Sequence, residues 1–209
     1  MNSGSRIGHL SSIGLSLVGI AYVVVVGLGI AAVGLEEPIV DPILAIMEAL
    51  TLVSAPLIVM LMASIYVHAT GERKVFGIIA LSFGVIMAGL TSAVHFVALT
   101  AGRQTGFAAL EWPSTLYAVE LLAWDIFLGL SLLFAACVFH GSGIRAAARW
   151  SLSISGALSL IGAVGPLLGN MALQRIGILG YGVALPIASV VLAMLFRRHE
   201  STSHTESLT

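Results

Sequence analysis

The sequence predicts an all-α membrane protein in which six helices form one bundle, and two observations lead to this fold class. Of its 209 residues, 58% are hydrophobic and only 9% are charged, and the mean hydropathy is +1.07. A water-soluble chain of this length could not bury so much apolar surface, so lipid must surround most of it. The apolar residues also fall into runs of roughly 20 or more, the length that crosses a bilayer.

These runs are separated by short connections, which indicates one compact domain. We place the spans at 10–34, 43–69, 74–101, 114–140, 149–170 and 176–196. The first span is longer than the ~7–15 apolar residues of a secretory signal, so we expect it to stay in the mature protein. We therefore expect a single transmembrane domain over 1–196. The polar segment 197–209 is expected to be a disordered cytoplasmic tail.

The positions of lysine and arginine predict the orientation, since cytoplasmic loops carry an excess of both. With both termini in the cytoplasm, the inside holds Arg6, Arg73, Lys74, Arg145, Arg149, Arg197 and Arg198. Only Arg103 and Arg175 are then left outside. This bias predicts a multi-pass protein of a cytoplasmic (inner or plasma) membrane with both termini inside. A net charge of −1 gives no reason to expect a nucleic acid partner.

Two further patterns concern how the helices meet. The fifth span carries small residues at helical spacing from Ser151 to Gly169, which predicts close packing against a neighbouring helix. Pro56, Pro166 and Pro186 interrupt the second, fifth and sixth spans. Each removes a backbone donor and frees a carbonyl group, a device that transporters use but that ordinary membrane helices also tolerate.

Ionisable residues inside the spans are the strongest indication of a functional site, because charge in hydrocarbon costs about 2.5–3.5 kcal/mol per residue on insertion scales. Glu48, His95 and Glu120 each lie about six residues from the outer end of a span, or ~9 Å deep. Three neighbouring helices thus bring Glu, His and Glu to one level. Tyr117 and Trp124 share a helix face with Glu120 and should help to shape the same pocket.

Asp125 is a further candidate for the site, but it is placed differently. It follows Glu120 by five residues, which on an α-helix is a net rotation of ~140°, and it lies ~16 Å deep. We therefore expect Asp125 to face another helix and to be hydrogen-bonded or neutral. The candidate partners are Ser16, Tyr22, the serines of the fifth span and Tyr181.

Several functions agree with such a pocket. The leading hypothesis is an outward-opening site for a small or amphipathic ligand, cationic or lipid-like, whose transport could be coupled to protons through the carboxyl groups and His95. The first alternative is an intramembrane enzyme acting on a lipid or isoprenoid, as an acid/base isomerase or, since Glu and His can bind zinc or iron, as a metal-dependent hydrolase. A membrane bundle with acidic and aromatic residues of this sort is similar in kind to the sterol isomerases of the emopamil-binding type.

The second alternative is an accessory subunit whose polar network fixes helix register or contacts a partner chain. The sequence is compatible with assembly into a homo-oligomer or with binding to a partner membrane subunit. The sequence alone assigns no catalytic residue, metal ligand or cofactor.

Two segments support the membrane assignment through a resemblance. The run from Glu111 to Asp125 and the run from Thr91 to Phe96 resemble segments of small bacterial multi-pass membrane proteins. That family has no assigned activity. The resemblance therefore implies six spans and adds no chemistry.

Overall fold

The computed structural model describes residues 3–34, 39–105 and 113–206, and for Thr105 and residues 198–206 it describes the backbone only. The described chain contains helices and turns and no β-strand, and six helices are long and apolar enough to cross a membrane. They are α1 (Ser3–Val33), α2 (Ile43–His68), α3 (Gly71–Gly102), α4 (Thr115–Val138), α5 (Ile144–Leu167) and α6 (Met171–Arg197). The predicted all-α, six-span fold class is confirmed.

The helix bounds differ from the predicted spans mainly at polar residues. α1 begins at Ser3 rather than at residue 10, and α5 begins at Ile144 rather than at 149. Beyond α6 the helical backbone continues to Glu206, through residues for which we expected a disordered tail. The expected bounds followed apolar composition, whereas a helix extends as long as its backbone hydrogen bonds propagate, and polar residues allow this.

The six helices form a closed ring. Each helix packs against its neighbours in sequence, and α6 also packs against α1. His9 Nδ1 donates to the carbonyl oxygen of Ala193 at 3.0 Å, so the start of α1 and the end of α6 lie at the same end of the bundle. We call this end the terminal face, and we call the end at which α2, α4 and α6 begin the far face.

The small residues of α5 pack closely against α6, as the sequence predicts. A Cβ atom on Gly162 would lie only 2.5 Å from the Cα of Gly177. The Ser155 hydroxyl donates to the carbonyl oxygen of Gly180 at 2.8 Å. Because both contacts involve the α6 backbone, α6 has little freedom to move relative to α5.

Three helices contain a wider, π-helical turn. These turns span Ala98–Gly102 in α3, Leu122–Leu128 in α4 and Leu179–Ala184 in α6. The third directly precedes Leu185 and Pro186, where the missing proline donor already disturbs the backbone ladder. Wide turns of this kind are rare and occur often at functional sites. Pro56, in contrast, leaves α2 continuous.

Candidate functional site

A cavity of about 780 Å³ lies between the helices and extends to the far face. Val40 and Asp41, both exposed, line it at that end. Its wall is mainly apolar, and most of the apolar side chains come from α1, α2 and α6. Residues of this wall include Leu15, Val18, Met47, Leu50, Ile178 and Leu185. We call this space the far-face cavity; it is large enough for a small organic molecule or part of a lipid.

His95 of α3 and Glu120 of α4 form a hydrogen-bonded pair in the wall of this cavity. The distance between His95 Nε2 and Glu120 Oε1 is 2.8 Å, and both residues are buried. Their other polar atoms, His95 Nδ1 and Glu120 Oε2, have no hydrogen-bond partner among the described residues. The pair therefore has spare capacity to accept or donate a hydrogen bond.

Glu48 lies in the same cavity, but its carboxylate binds an arginine rather than His95 or Glu120. Arg103 Nη1 donates to Glu48 Oε2 at 2.8 Å. The same guanidinium donates from Nε and Nη2 to the two carboxylate oxygens of Asp41, at 3.0 and 2.9 Å. Glu48, His95 and Glu120 were predicted to lie at one level, and all three line one cavity. His95 and Glu120 form a pair there, whereas Glu48 belongs to a separate ion cluster with Arg103 and Asp41.

Arg103 lies outside the predicted spans, so its role in the site was not predicted. Arg103 directly follows the π-helical turn of α3, and it also donates to the Ala98 carbonyl at 3.2 Å. Hydrogen bonding to Arg103 lowers the pKa of Asp41 below its ordinary value. The two carboxylates in turn raise the pKa of Arg103. The sequence contained an indication of this cluster, because Arg103, Asp41 and Glu48 all lie near the far-face ends of α2 and α3.

Tyr117 and Trp124 line the far-face cavity together with Glu120. The Trp124 ring lies 5.2 Å, centroid to centroid, from the ring of Tyr181 on α6. The buried Trp124 Nε1 has no hydrogen-bond partner among the described residues. The aromatic rings thus form an apolar wall with a donor group available next to the His95–Glu120 pair.

Asp125 is fully buried and does not line the far-face cavity, although we had included it among the candidate ligand-binding residues. Gln174 Nε2 donates to Asp125 Oδ2 at 3.4 Å and to the Tyr181 hydroxyl oxygen at 3.0 Å. Asp125 therefore faces α6, behind the cavity wall, as its rotation relative to Glu120 suggests. Among the expected partners, the described hydrogen bonds connect only Tyr181 to Asp125, and they do so through Gln174, which was not among those partners.

The described side chains offer no cluster of three or more His, Cys, Asp or Glu residues that could hold a metal ion. His95 and Glu120 alone supply two such ligands. Glu36, Glu37 and the segment 106–112, which includes the start of the Glu111–Asp125 run, lie outside the described residues. The metal-dependent alternative thus gains no support from the geometry of the described site.

Comparisons with known proteins do not identify a relative: no family model, curated protein or solved structure matches this chain. The chemistry of the far-face cavity is therefore the basis for assigning a function. That chemistry combines a large apolar wall, a buried His–Glu pair with unused hydrogen-bonding atoms, and an ion cluster at the open end.

Proposed function

We propose that this multi-pass membrane protein binds an amphipathic ligand in the far-face cavity and transports it in exchange for protons. The observation that carries the proposal is the buried Glu120 Oε2, which has no partner among the described residues and lies in the wall of a cavity of about 780 Å³. A buried carboxylate oxygen without a hydrogen bond is costly, and a ligand that donates to it removes that cost.

The charges of the cavity favour a cationic or hydrogen-bond-donating headgroup. Asp41, Glu48 and Glu120 contribute three carboxylates, and Arg103 contributes one guanidinium. Even with His95 protonated, the negative groups outnumber the positive groups among the described lining residues. Arg103 already neutralises much of the Glu48 charge through a bond of 2.8 Å, so Glu120 is the acceptor that we assign to the headgroup.

The rest of the wall favours an apolar tail on the same ligand. The volume lies within the range of small-molecule sites, roughly 300–1,000 Å³, and such sites are mostly apolar with few polar groups that fix orientation. The polar groups are grouped on α2, α3 and α4, whereas the α1 and α6 residues that line the cavity are mostly apolar or aromatic. An alkyl or isoprenoid chain would lie along α1 and α6, with its headgroup at Glu120.

Coupling to protons follows from the His95–Glu120 pair. A cationic headgroup stabilises ionised Glu120, so its arrival favours release of any proton that the pair holds, and its departure favours uptake. A site that exchanges a proton for a cation in this way can support antiport when it opens alternately to the two sides of the membrane. The proton and the cationic headgroup thus compete for Glu120.

Fluorescence of Trp124 tests this proposal directly. The variant Trp112→Phe/Trp150→Phe keeps Trp124 as its single tryptophan, and the probe is a bromoalkyl ammonium, whose bromine quenches nearby indole. We expect saturable quenching in nanodiscs, and about tenfold weaker apparent binding in Glu120→Gln, because a charge-assisted hydrogen bond contributes about 1.5–3 kcal/mol. The matched bromoalkyl alcohol should bind more weakly and respond less to the substitution.

A second single-tryptophan protein controls for partition of the probe into lipid. Trp150 is 61% exposed on the outer surface of α5, so the Trp112→Phe/Trp124→Phe variant reports bilayer partition only. Quenching of Trp124 that is unsaturable, or that is unchanged by Glu120→Gln, contradicts the binding site. Saturable binding without proton movement in proteoliposomes under a probe gradient contradicts the antiport step alone.

The same pair supports a second function, an intramembrane isomerase. His95 and Glu120, 2.8 Å apart, could donate and accept a proton on a double bond of a lipid or isoprenoid held against Trp124. This function predicts isomers of equal mass, separable by chromatography, in lipid extracts of membranes that contain the wild-type protein. Glu120→Gln should abolish them, and identical extracts from both proteins would contradict this function.

A further inference from the structure

A second cavity lies at the terminal face, on the opposite side of the bundle from Glu120. Its volume is about 270 Å³. The side chains that line it include His68, at the end of α2, His140, which follows α4, and Arg145, in the first turn of α5. Three elements thus bring two imidazoles and a guanidinium to one space, which we call the terminal-face cavity.

The remaining polar lining supplies further hydrogen-bond donors. Ser5 and Thr70 add hydroxyl groups. The described lining residues include no carboxylate, and Arg145 forms no ion pair or hydrogen bond with the described side chains. A charged guanidinium beside two imidazoles, with no anion among the described lining residues, makes this part of the cavity electropositive.

The local fold holds these groups in place. The His68 ring packs against the rings of Phe139 and Phe196, with both centroid distances at 5.9 Å. Gly141 and Gly143 have φ angles of +93° and +64°, a conformation that favours glycine, in the turn that returns the chain from His140 to Arg145. Packing therefore holds the His68 ring in place, and the glycine turn brings the exposed residues His140 and Arg145 to the rim of the same space.

Helix polarity adds to the same field. α1, α3 and α5 begin at the terminal face, and the positive ends of their dipoles lie there. Thr70 and Gly143, which precede α3 and α5, provide no side-chain cap. At the far face, by contrast, Ser114 and Asn170 cap α4 and α6 with their own side chains. The positive ends of these helix dipoles thus add to the field of the cationic side chains at the terminal-face cavity.

We propose that the terminal-face cavity binds a phosphate group, either as the headgroup of an anionic phospholipid or as a free phosphate ion. Phosphate presents several acceptor oxygens, which matches the number of donors better than the two oxygens of a carboxylate, and arginine binds it with two parallel hydrogen bonds. The lining residues are at helix ends, the level at which the phosphates of a surrounding bilayer lie. This proposal does not depend on the function of the far-face cavity.

The test compares two arginines on one helix. Arg145 lines the cavity, whereas Arg149, one turn further along α5, does not and instead lies over the ring of Trp150 at 5.7 Å. Native mass spectrometry of the full-length protein measures retention of added phosphatidylglycerol against phosphatidylcholine. We expect Arg145→Gln to weaken phosphatidylglycerol binding about tenfold or more, and Arg149→Gln to change it less than about twofold.

Further variants make the result decisive. His140→Gln, at an exposed position, should weaken binding as well, whereas Glu120→Gln should not. Competition by inorganic phosphate, against chloride at equal ionic strength, identifies the free ion as a ligand. Arg145-dependent binding without such competition identifies the lipid headgroup. Equal losses in Arg145→Gln and Arg149→Gln would show general surface attraction, and no loss in Arg145→Gln would show no site; either result overturns the proposal.

Discussion

Among single residues, Arg103 is the one lysine or arginine that the described residues contribute to the far-face cavity. Its guanidinium contacts Asp41 and Glu48 at the same time. The Glu48 side chain is only 5% exposed, whereas that of Asp41 is 51% exposed. The two ion pairs therefore differ in strength, because water screens the Asp41 pair and the protein shields the Glu48 pair.

The first prediction concerns the Arg103–Glu48 pair. Arg103→Gln leaves a buried carboxylate without its cation, and we expect a loss of about 1–3 kcal/mol in the free energy of unfolding in mixed micelles. The double variant Arg103→Gln/Glu48→Gln should lose less than the sum of the two single variants, because neither charge is then left unpaired. Arg175→Gln is the matched control, since Arg175 is exposed and should change stability by less than about 0.5 kcal/mol. Additive losses would contradict the coupling.

The second prediction follows from the lowered pKa of Asp41. A carboxylate with a lowered pKa stabilises the folded state above its ordinary value of about 3.9, and that contribution is lost as the pH falls through the lowered value. The melting temperature of the wild-type protein should therefore fall more steeply below about pH 4 than that of Asp41→Asn. Scanning fluorimetry in an acid-tolerant detergent measures both curves. Parallel curves would show that the Asp41–Arg103 pair adds no stability.

Residue-level reasoning from the sequence located part of the site and missed the rest for identifiable reasons. Glu120 and His95 could be placed together because helix rise converts sequence position into depth. Arg103 was missed because helix periodicity does not predict where a side chain that reaches back from a helix end will lie, and its position near the same helix ends was the only indication. Gln174 was overlooked because a polar residue near the start of a span resembles a loop residue, although here it is buried and bonded to Asp125.

At the level of helices, the π-helical turns could not be predicted from the sequence. The wide turn Leu122–Leu128 contains both Trp124 and Asp125, and Leu179–Ala184 contains Tyr181. A regular α-helix was assumed in estimating the rotation between Glu120 and Asp125. Which residues form a π-turn depends on tertiary contacts rather than on local composition, so it could not be deduced from one sequence.

The third prediction concerns the close contact between α5 and α6. Gly162→Ala places a methyl group against the Gly177 backbone, which cannot rotate away as a side chain can, so α6 must shift. We expect a loss of about 1–3 kcal/mol in unfolding free energy. Gly89→Ala is the control, because a Cβ there meets nothing within 4 Å. Equal stability of the two variants would contradict the tight α5–α6 packing.

For the whole molecule, composition and span length were sufficient to predict six transmembrane helices, because both follow from the solvent that surrounds the chain. The order of the helices around the ring was harder to predict from the sequence. Short connections make sequence neighbours pack together, but the contact of α6 with α1 closes the ring and depends on complementary surfaces. Gly8, for example, lies so close to Phe196 that an added Cβ would be 2.8 Å from the ring.

The last prediction concerns orientation, which decides the compartment to which each cavity opens. Two single-cysteine proteins in a Cys137→Ser background report the two ends of the bundle. Gln104→Cys lies at the far face and Ser142→Cys at the terminal face, and both positions are exposed. Serine at 137 can keep the hydrogen bond that the thiol makes to the Leu133 carbonyl. The bias of lysine and arginine toward the terminal face predicts that this face is cytoplasmic.

A membrane-impermeant maleimide should therefore label the protein with Gln104→Cys in intact cells and the protein with Ser142→Cys only after permeabilisation. Labelling of both in permeabilised cells is the control for reactivity. The opposite labelling pattern would show that the protein has the inverse orientation in the membrane. The Glu120 site would then open to the cytoplasm, and the electropositive terminal-face cavity would lie in the outer leaflet, where anionic lipid is expected to be scarcer. Orientation thus tests, in one measurement, whether the two proposed sites lie on the sides where their ligands would be found.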